Sequence, residues 1–98
     1  MKNIISDLNK AFENRVRLGI MSILMVNDDV DFIRIKETLN LTDGNLASHL
    51  KALEMTGYIV MQKEFVGRKP RTSYSITVPG RMAFKSHLDA LEKLIRGS

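Results

Sequence analysis

The densest cationic stretch of this 98-residue chain is Phe65 to Thr72, FVGRKPRT, where Arg68, Lys69 and Arg71 stand with no acid between them. Cations gathered beside a glycine and a proline can hold an anion, through charge and through N–H donors. The stretch is not a nucleotide loop, because the two-glycine spacing and the closing Gly-Lys-Ser/Thr are missing. A second group, Asp43, Gly44, Asn45, Ser48 and Lys51, offers short hydrogen-bonding side chains at helical spacing. Catalytic chemistry finds no support. The chain has no cysteine, so thiolate nucleophiles, disulfides and cysteine metal sites are excluded. His49 and His87 are the only histidines, and two imidazoles do not complete a metal site. No nucleophile–base pair or supported carboxylate dyad is present. These observations point away from an enzyme, and no cofactor is expected.

The charge is unevenly placed. The chain carries a net +4, with −1 over residues 1–57 and +5 over residues 58–98. A basic balance permits nucleic-acid binding, and its concentration around the FVGRKPRT stretch locates it. No apolar run approaches the ~20 residues of a membrane span, and the start, MKNIISDLNKAF, has no signal-peptide pattern. The expected location is the cytoplasm.

The elements that must position these groups are legible from periodicity. Phe12, Val16, Ile20, Ile23 and Leu24 mark a first helix, apolar on more than one side because Leu18, Met21 and Met25 also belong to it. Asn27 to Asp31, NDDVD, interrupts it with turn formers, with room for a short strand near Asp31. Phe32, Ile35 and Leu39 mark a short second helix. Thr42 is placed to cap a third, whose core face is Leu46, Leu50 and Leu53 and which Gly57 closes. Two helices so closely spaced have the form of a helix-turn-helix.

After Gly57 the period changes toward two. YIVMQKEFV and TSYSITV read as the strands of a hairpin with GRKPR between them, since Gly67 and Pro70 oppose one continuous strand. Thr77 and Pro79 then open a last helix, over 79–96, with Phe84, Leu88, Leu91 and Ile95 in one stripe. The fold expected is mainly α with a small β-hairpin, in the order α-α-α-β-β-α. It forms a single domain over residues 1–98. A third helix of this kind can enter a major groove, and a cationic hairpin tip can reach neighbouring phosphates or the minor groove.

The stretch LTDGNLASHLKALEMTGYI resembles the helix-turn-helix of the bacterial and archaeal winged-helix regulators of the MarR-like and ArsR-like kinds. Leu46, His49, Leu50, Leu53, Gly57, Tyr58 and Ile59 carry that likeness. FVGRKPRTSYSIT followed by PGR is similar to the wing of a short MarR-related subgroup, and NRVRLGIMSIL to its opening helix. The resemblance implies a winged helix-turn-helix that binds double-stranded DNA sequence-specifically and regulates transcription as a homodimer on a pseudo-palindromic operator. Carried over by position, Thr42, Asp43, Gly44, Asn45, Ala47, Ser48 and Lys51 would face the groove, with Arg68, Lys69 and Arg71 on the wing. The cysteines of metal-sensing members and the extra helices of full-length MarR proteins are absent.

Other residues admit plainer readings. His49 is expected to pack locally rather than touch a base. Arg15, Arg17 and Arg34 are expected at the solvent surface, with a phosphate contact open to one of Arg15 and Arg17 and to Arg34. The methionines fit core gap-filling. The terminal helix is long for so small a domain, so its stripe is expected between subunits. There Phe84, Leu88, Leu91 and Ile95 would meet Ile4, Ile5, Leu8 and Phe12. The alternative is a protein–protein module that uses this stripe and ignores DNA. RNA is less well supported, since no aromatic stacking platform is evident.

Overall fold

Asn14 decides where the first long helix begins. Its side chain accepts the N–H groups of Val16 and Arg17 at 2.9 and 3.1 Å, so α1 runs Arg15–Val26. The computed structural model describes residues 4–97, with side chains from Ile5 onward. Two short 3-10 turns, Ile4–Asp7 and Lys10–Phe12, precede α1, so Phe12 lies before that helix rather than in it. Then come β1 (Val30–Asp31), α2 (Phe32–Leu39), α3 (Asp43–Met55), β2 (Ile59–Val66), β3 (Lys69–Ile76) and α4 (Val78–Arg96). This is the winged-helix α+β architecture, with the short strand near Asp31 present as β1.

Caps explain most boundaries. Asp31 accepts the Arg34 N–H at 2.7 Å and starts α2. Thr42 accepts the Asn45 N–H at 3.2 Å and starts α3, as its position in the sequence predicts. At the far end of α3, the Tyr58 N–H reaches Leu53 O at 3.1 Å and the Gly57 N–H reaches Glu54 O at 2.9 Å. Gly57 sits at φ 82° between them, so the helix closes in a Schellman motif.

The sheet has the order β1-β3-β2, all antiparallel. β2 and β3 pair from Ile59↔Ile76 out to Val66↔Lys69, so only Gly67 and Arg68 remain in the turn. Gly67 has φ 65° whereas Arg68 does not enter positive φ. That is the pattern of a type II′ turn, whose twist suits a hairpin. The expected GRKPR loop is therefore mostly strand. Pro70 is tolerated because β1 meets β3 only at Ser73 and Tyr74, leaving the outer edge of β3 open at Pro70.

The core is built from Ile20, Met21 and Leu24 of α1, Ile35 of α2, and Leu46, Leu50 and Leu53 of α3, all essentially without exposure. Ile59 and Tyr74 of the hairpin close it from the other side. α1 lies between these layers, which explains its apolar residues on several faces. Phe12 and Phe84 correct an expectation. Both are only 2% exposed, and their rings meet edge to face with centroids 5.2 Å apart. The small domain has room for them because the segment before α1 folds back across α4. Neither ring is available to a second subunit.

Gly80 welds α4 to the hairpin. A Cβ there would overlap the backbone carbonyl of Tyr58, so only glycine permits the approach. The same junction is held by the Thr77 N–H on Tyr58 O at 3.0 Å and the Thr77 hydroxyl on Gly57 O at 2.7 Å. That hydroxyl also accepts the Gly80 N–H at 3.0 Å, capping α4 as expected.

Candidate nucleic-acid interface

The buried and exposed sides of α3 divide cleanly. Leu46, Leu50 and Leu53 face inward, while Asp43, Gly44, Asn45, Ala47, Ser48 and Lys51 are exposed together with the cap Thr42. The structure thus brings the predicted polar residues onto one accessible face at the start of the helix. Asp43 is not an isolated negative charge there. Lys36 of α2 approaches its carboxylate at 2.8 Å, a pairing the sequence reading did not anticipate. It ties α2 to the first turn of α3 and offsets a charge that would repel phosphate.

His49 turns away from this face. It is half-buried, with Nδ1 3.1 Å from Arg17 Nη1. An arginine can only donate, so Nδ1 accepts and the ring is neutral. Burial lowers its pKa, and the adjacent Arg17 charge lowers it further. Arg17 is itself anchored, donating Nε–H to Ala11 O at 2.6 Å. Arg15 and Arg34 remain exposed.

The hairpin carries its cations at two levels. Arg68 and Lys69 lie at the turn, exposed and without an ion-pair partner among the described residues. Arg71 lies two pairs back, opposite Glu64, and only its closeness in sequence groups it with the tip. Its Nη1 donates to Glu64 Oε1 at 2.9 Å and to Asp29 Oδ2 at 3.0 Å. Asp31 Oδ2 stands 3.9 Å from Nε. The hydrogen bond from Arg71, reinforced by its charge, holds the Asp29 carboxyl below its usual range. Hydrogen bonds to Asp29 and Glu64 in turn raise the arginine's pKa. A two-residue turn at Gly67-Arg68 would have placed Glu64 across from Arg71, and that was the available signal.

Near α4, buried His87 accepts the Asn9 N–H on Nδ1 at 3.0 Å, and its ring stands edge-on to Phe12 at 5.3 Å. Asn9 also donates its side-chain N–H to the Tyr58 hydroxyl at 3.0 Å. Farther along α4, Leu88 and Ile95 are 42% and 84% exposed, and Leu91 is half-buried. Ile5 is 62% exposed and Leu8 half-buried, while the Ile4 side chain lies outside the described residues. Among the described residues no helix is long and apolar enough to cross a membrane, and no cluster of His, Cys, Asp and Glu could hold a metal.

This geometry agrees with comparison to known proteins. The family described as winged helix DNA-binding domain matches residues 16–95. The chain belongs to the winged-helix DNA-binding family. An uncharacterized protein of Methanocaldococcus jannaschii is 40% identical to this winged helix over 79 residues, covering 81% of this chain and 86% of the relative. The solved structure of a transcriptional regulator homologue from Pyrococcus horikoshii OT3 superposes with a TM-score of 0.86 at 36% identity, covering 96% of this chain and 91% of that one. AbfR, solved in an overoxidized form bound to DNA, shares the fold with a TM-score of 0.76 at 15% identity, over 93% of this chain and 66% of its own. The winged helix is thus a homologue of transcriptional regulators and not an enzyme. In it, α2 and α3 form the helix-turn-helix, and β2 and β3 form the wing.

Proposed function

We propose that this winged helix is a sequence-specific, double-stranded DNA-binding transcriptional regulator that works as a homodimer in the cytoplasm. The observation that carries the reading is the combination of an exposed polar face on α3 with a cationic turn, Arg68-Lys69, at the tip of the wing that has no ion-pair partner among the described residues. Inserted in the major groove, α3 would present Thr42, Asp43, Gly44, Asn45, Ala47, Ser48 and Lys51 to base edges and flanking phosphates. Asn45 suits bidentate recognition of adenine, and Lys51 suits a phosphate or guanine. The wing cations would rest on phosphates or the minor-groove floor. AbfR, which has this fold, is bound to DNA in its structure, and that supports the reading.

The dimer is proposed from α4. Leu88, Leu91 and Ile95 leave an apolar strip on its second half, with Ile5 and Leu8 nearby in the chain's opening segment. Covered by a second copy, that strip would give a two-fold arrangement of recognition helices matched to a pseudo-palindromic operator.

Selection of bound duplexes from a random pool tests the whole reading. Two similar half-sites with centres about 10 base pairs apart are the expected result. A pool that never rises above random DNA at physiological salt would refute it.

A further inference from the structure

Arg71 is where the wing is fastened to the body of the domain. β1 reaches β3 only at Ser73 and Tyr74, so outward of that point the wing is a bare two-stranded ribbon. Such a ribbon is marginal alone, and its direction depends on whatever holds its base. The Arg71 guanidinium sits at that base, half-buried, and joins three separate pieces of chain. Nη1 bonds to Glu64 on β2 at 2.9 Å and to Asp29, just before β1, at 3.0 Å. Asp31, 3.9 Å from Nε, ends β1 and at the same time caps α2 through the Arg34 N–H at 2.7 Å. α2 is in turn bound to α3 by Lys36 and Asp43 at 2.8 Å. A continuous series of polar contacts therefore runs from the wing, through Arg71 and α2, to the first turn of α3.

The electrostatics at this point do not suit a phosphate contact. One guanidinium faces three carboxylates, both N–H groups of Nη1 are taken, and the surroundings carry excess negative charge. Arg68 and Lys69, a few residues away, have no such partners among the described residues.

We infer that Arg71 is a positioning residue for DNA binding, which sets the wing's direction relative to α3 without itself touching DNA, and that Asp29 is its principal anchor. The inference rests on the DNA-binding reading but has one readout that is independent of DNA. In the free protein, Arg71→Gln and Asp29→Ala each speed amide hydrogen exchange in the outer wing, Lys63 to Thr72, and leave α3 unchanged. Unchanged exchange in the wing for both variants overturns the inference, whether or not the protein binds DNA.

The second readout uses a 30-base-pair duplex recovered from the wild-type selection. The slope of log affinity against log salt counts neutralised phosphates, at roughly 0.9 per contact. In a homodimer each substitution removes two contacts, so Arg68→Gln and Lys69→Gln each lower that slope by about 1.8. Arg71→Gln instead weakens binding roughly 2- to 30-fold with the wild-type slope, the scale of network residues that touch no ligand. Asp29→Ala also weakens binding, although removing an acid should strengthen it by charge alone. Combining the two changes costs no more than Arg71→Gln by itself. A slope reduced by Arg71→Gln as much as by Arg68→Gln, or tighter binding by Asp29→Ala, refutes the positioning role. Should Arg71→Gln fail to fold, Asp29→Ala decides through the sign of its effect. A wild-type protein that selects no duplex refutes the DNA reading and leaves the exchange measurement to judge the strut.

Discussion

The two halves of α4 share one apolar spacing and meet different surroundings. From Gly80 to His87 the helix belongs to the domain. Gly80 lies against the Tyr58 backbone, Phe84 is 2% exposed beside Phe12, and His87 holds the Asn9 N–H. Past His87 the cover thins. Ala90 stays buried, yet Leu88 is 42% and Ile95 84% exposed. Periodicity reports which side of a helix is apolar, and says nothing about what covers that side. The cover here is the described part of the segment before α1, which leaves Leu88 and Ile95 exposed.

The comparison breaks most visibly at Phe84. Phe84→Ala empties a ring site against Phe12 and should cost about 3–5 kcal/mol in chemical denaturation. Ile95→Ala, on the same stripe, should change monomer stability by no more than about 0.5 kcal/mol. Equal costs would mean that the stripe is one surface after all.

A charge placed on the outer half sharpens it next. Leu88→Glu with Ile95→Glu should leave the helical content intact while shifting sedimentation from dimer to monomer, at a cost of at least about 2 kcal/mol in association. A dimer that survives this pair would have to use some other face.

The smallest expected effect is in pH. Burial lowers the His87 pKa from its ordinary 6.5, outweighing the opposing pull of Glu13. The neutral ring is the form that accepts the Asn9 N–H, so the unfolded chain binds the proton more readily than the folded one. Stability from this site is complete above the unfolded-state value and is lost as the pH falls from there through the lowered folded-state value. His49 acts in the same direction, because burial and Arg17 depress it too. Denaturation at pH 7.5 and 5.5 should show a loss on acidification, and His87→Gln should reduce that loss. A variant with the full wild-type pH dependence would remove His87 as a contributor.

Much of the recognition helix could be read without coordinates. Thr42 and Thr77 cap the helices they were expected to cap, and Gly57 closes α3. Thr42, Asp43, Asn45, Ser48 and Lys51 come out on one exposed face because a 3.6-residue period fixes their common direction once Leu46 and Leu50 are buried. The wing was less legible. GRKPR looks like a loop because glycine and proline usually interrupt strands, but Pro70 survives in β3 where β1 has already ended. Arg71 was grouped with Arg68 and Lys69 by proximity in sequence. Strand register separated them, since two residues along a strand change the neighbours that a side chain meets.

Sequence by itself determined the order of the elements, the helix caps, the polar face of α3 and the basic character of the wing. Those features depend on hydrogen bonds and periodicities that span only a few residues. Tertiary structure alone decided that Phe84 is core, that Lys36 offsets Asp43, and that Arg71 belongs to Asp29 and Glu64. Phe84 against Phe12 and Arg71 against Asp29 join segments distant in sequence, while Lys36 with Asp43 and Arg71 with Glu64 meet only once the turn between their elements is set.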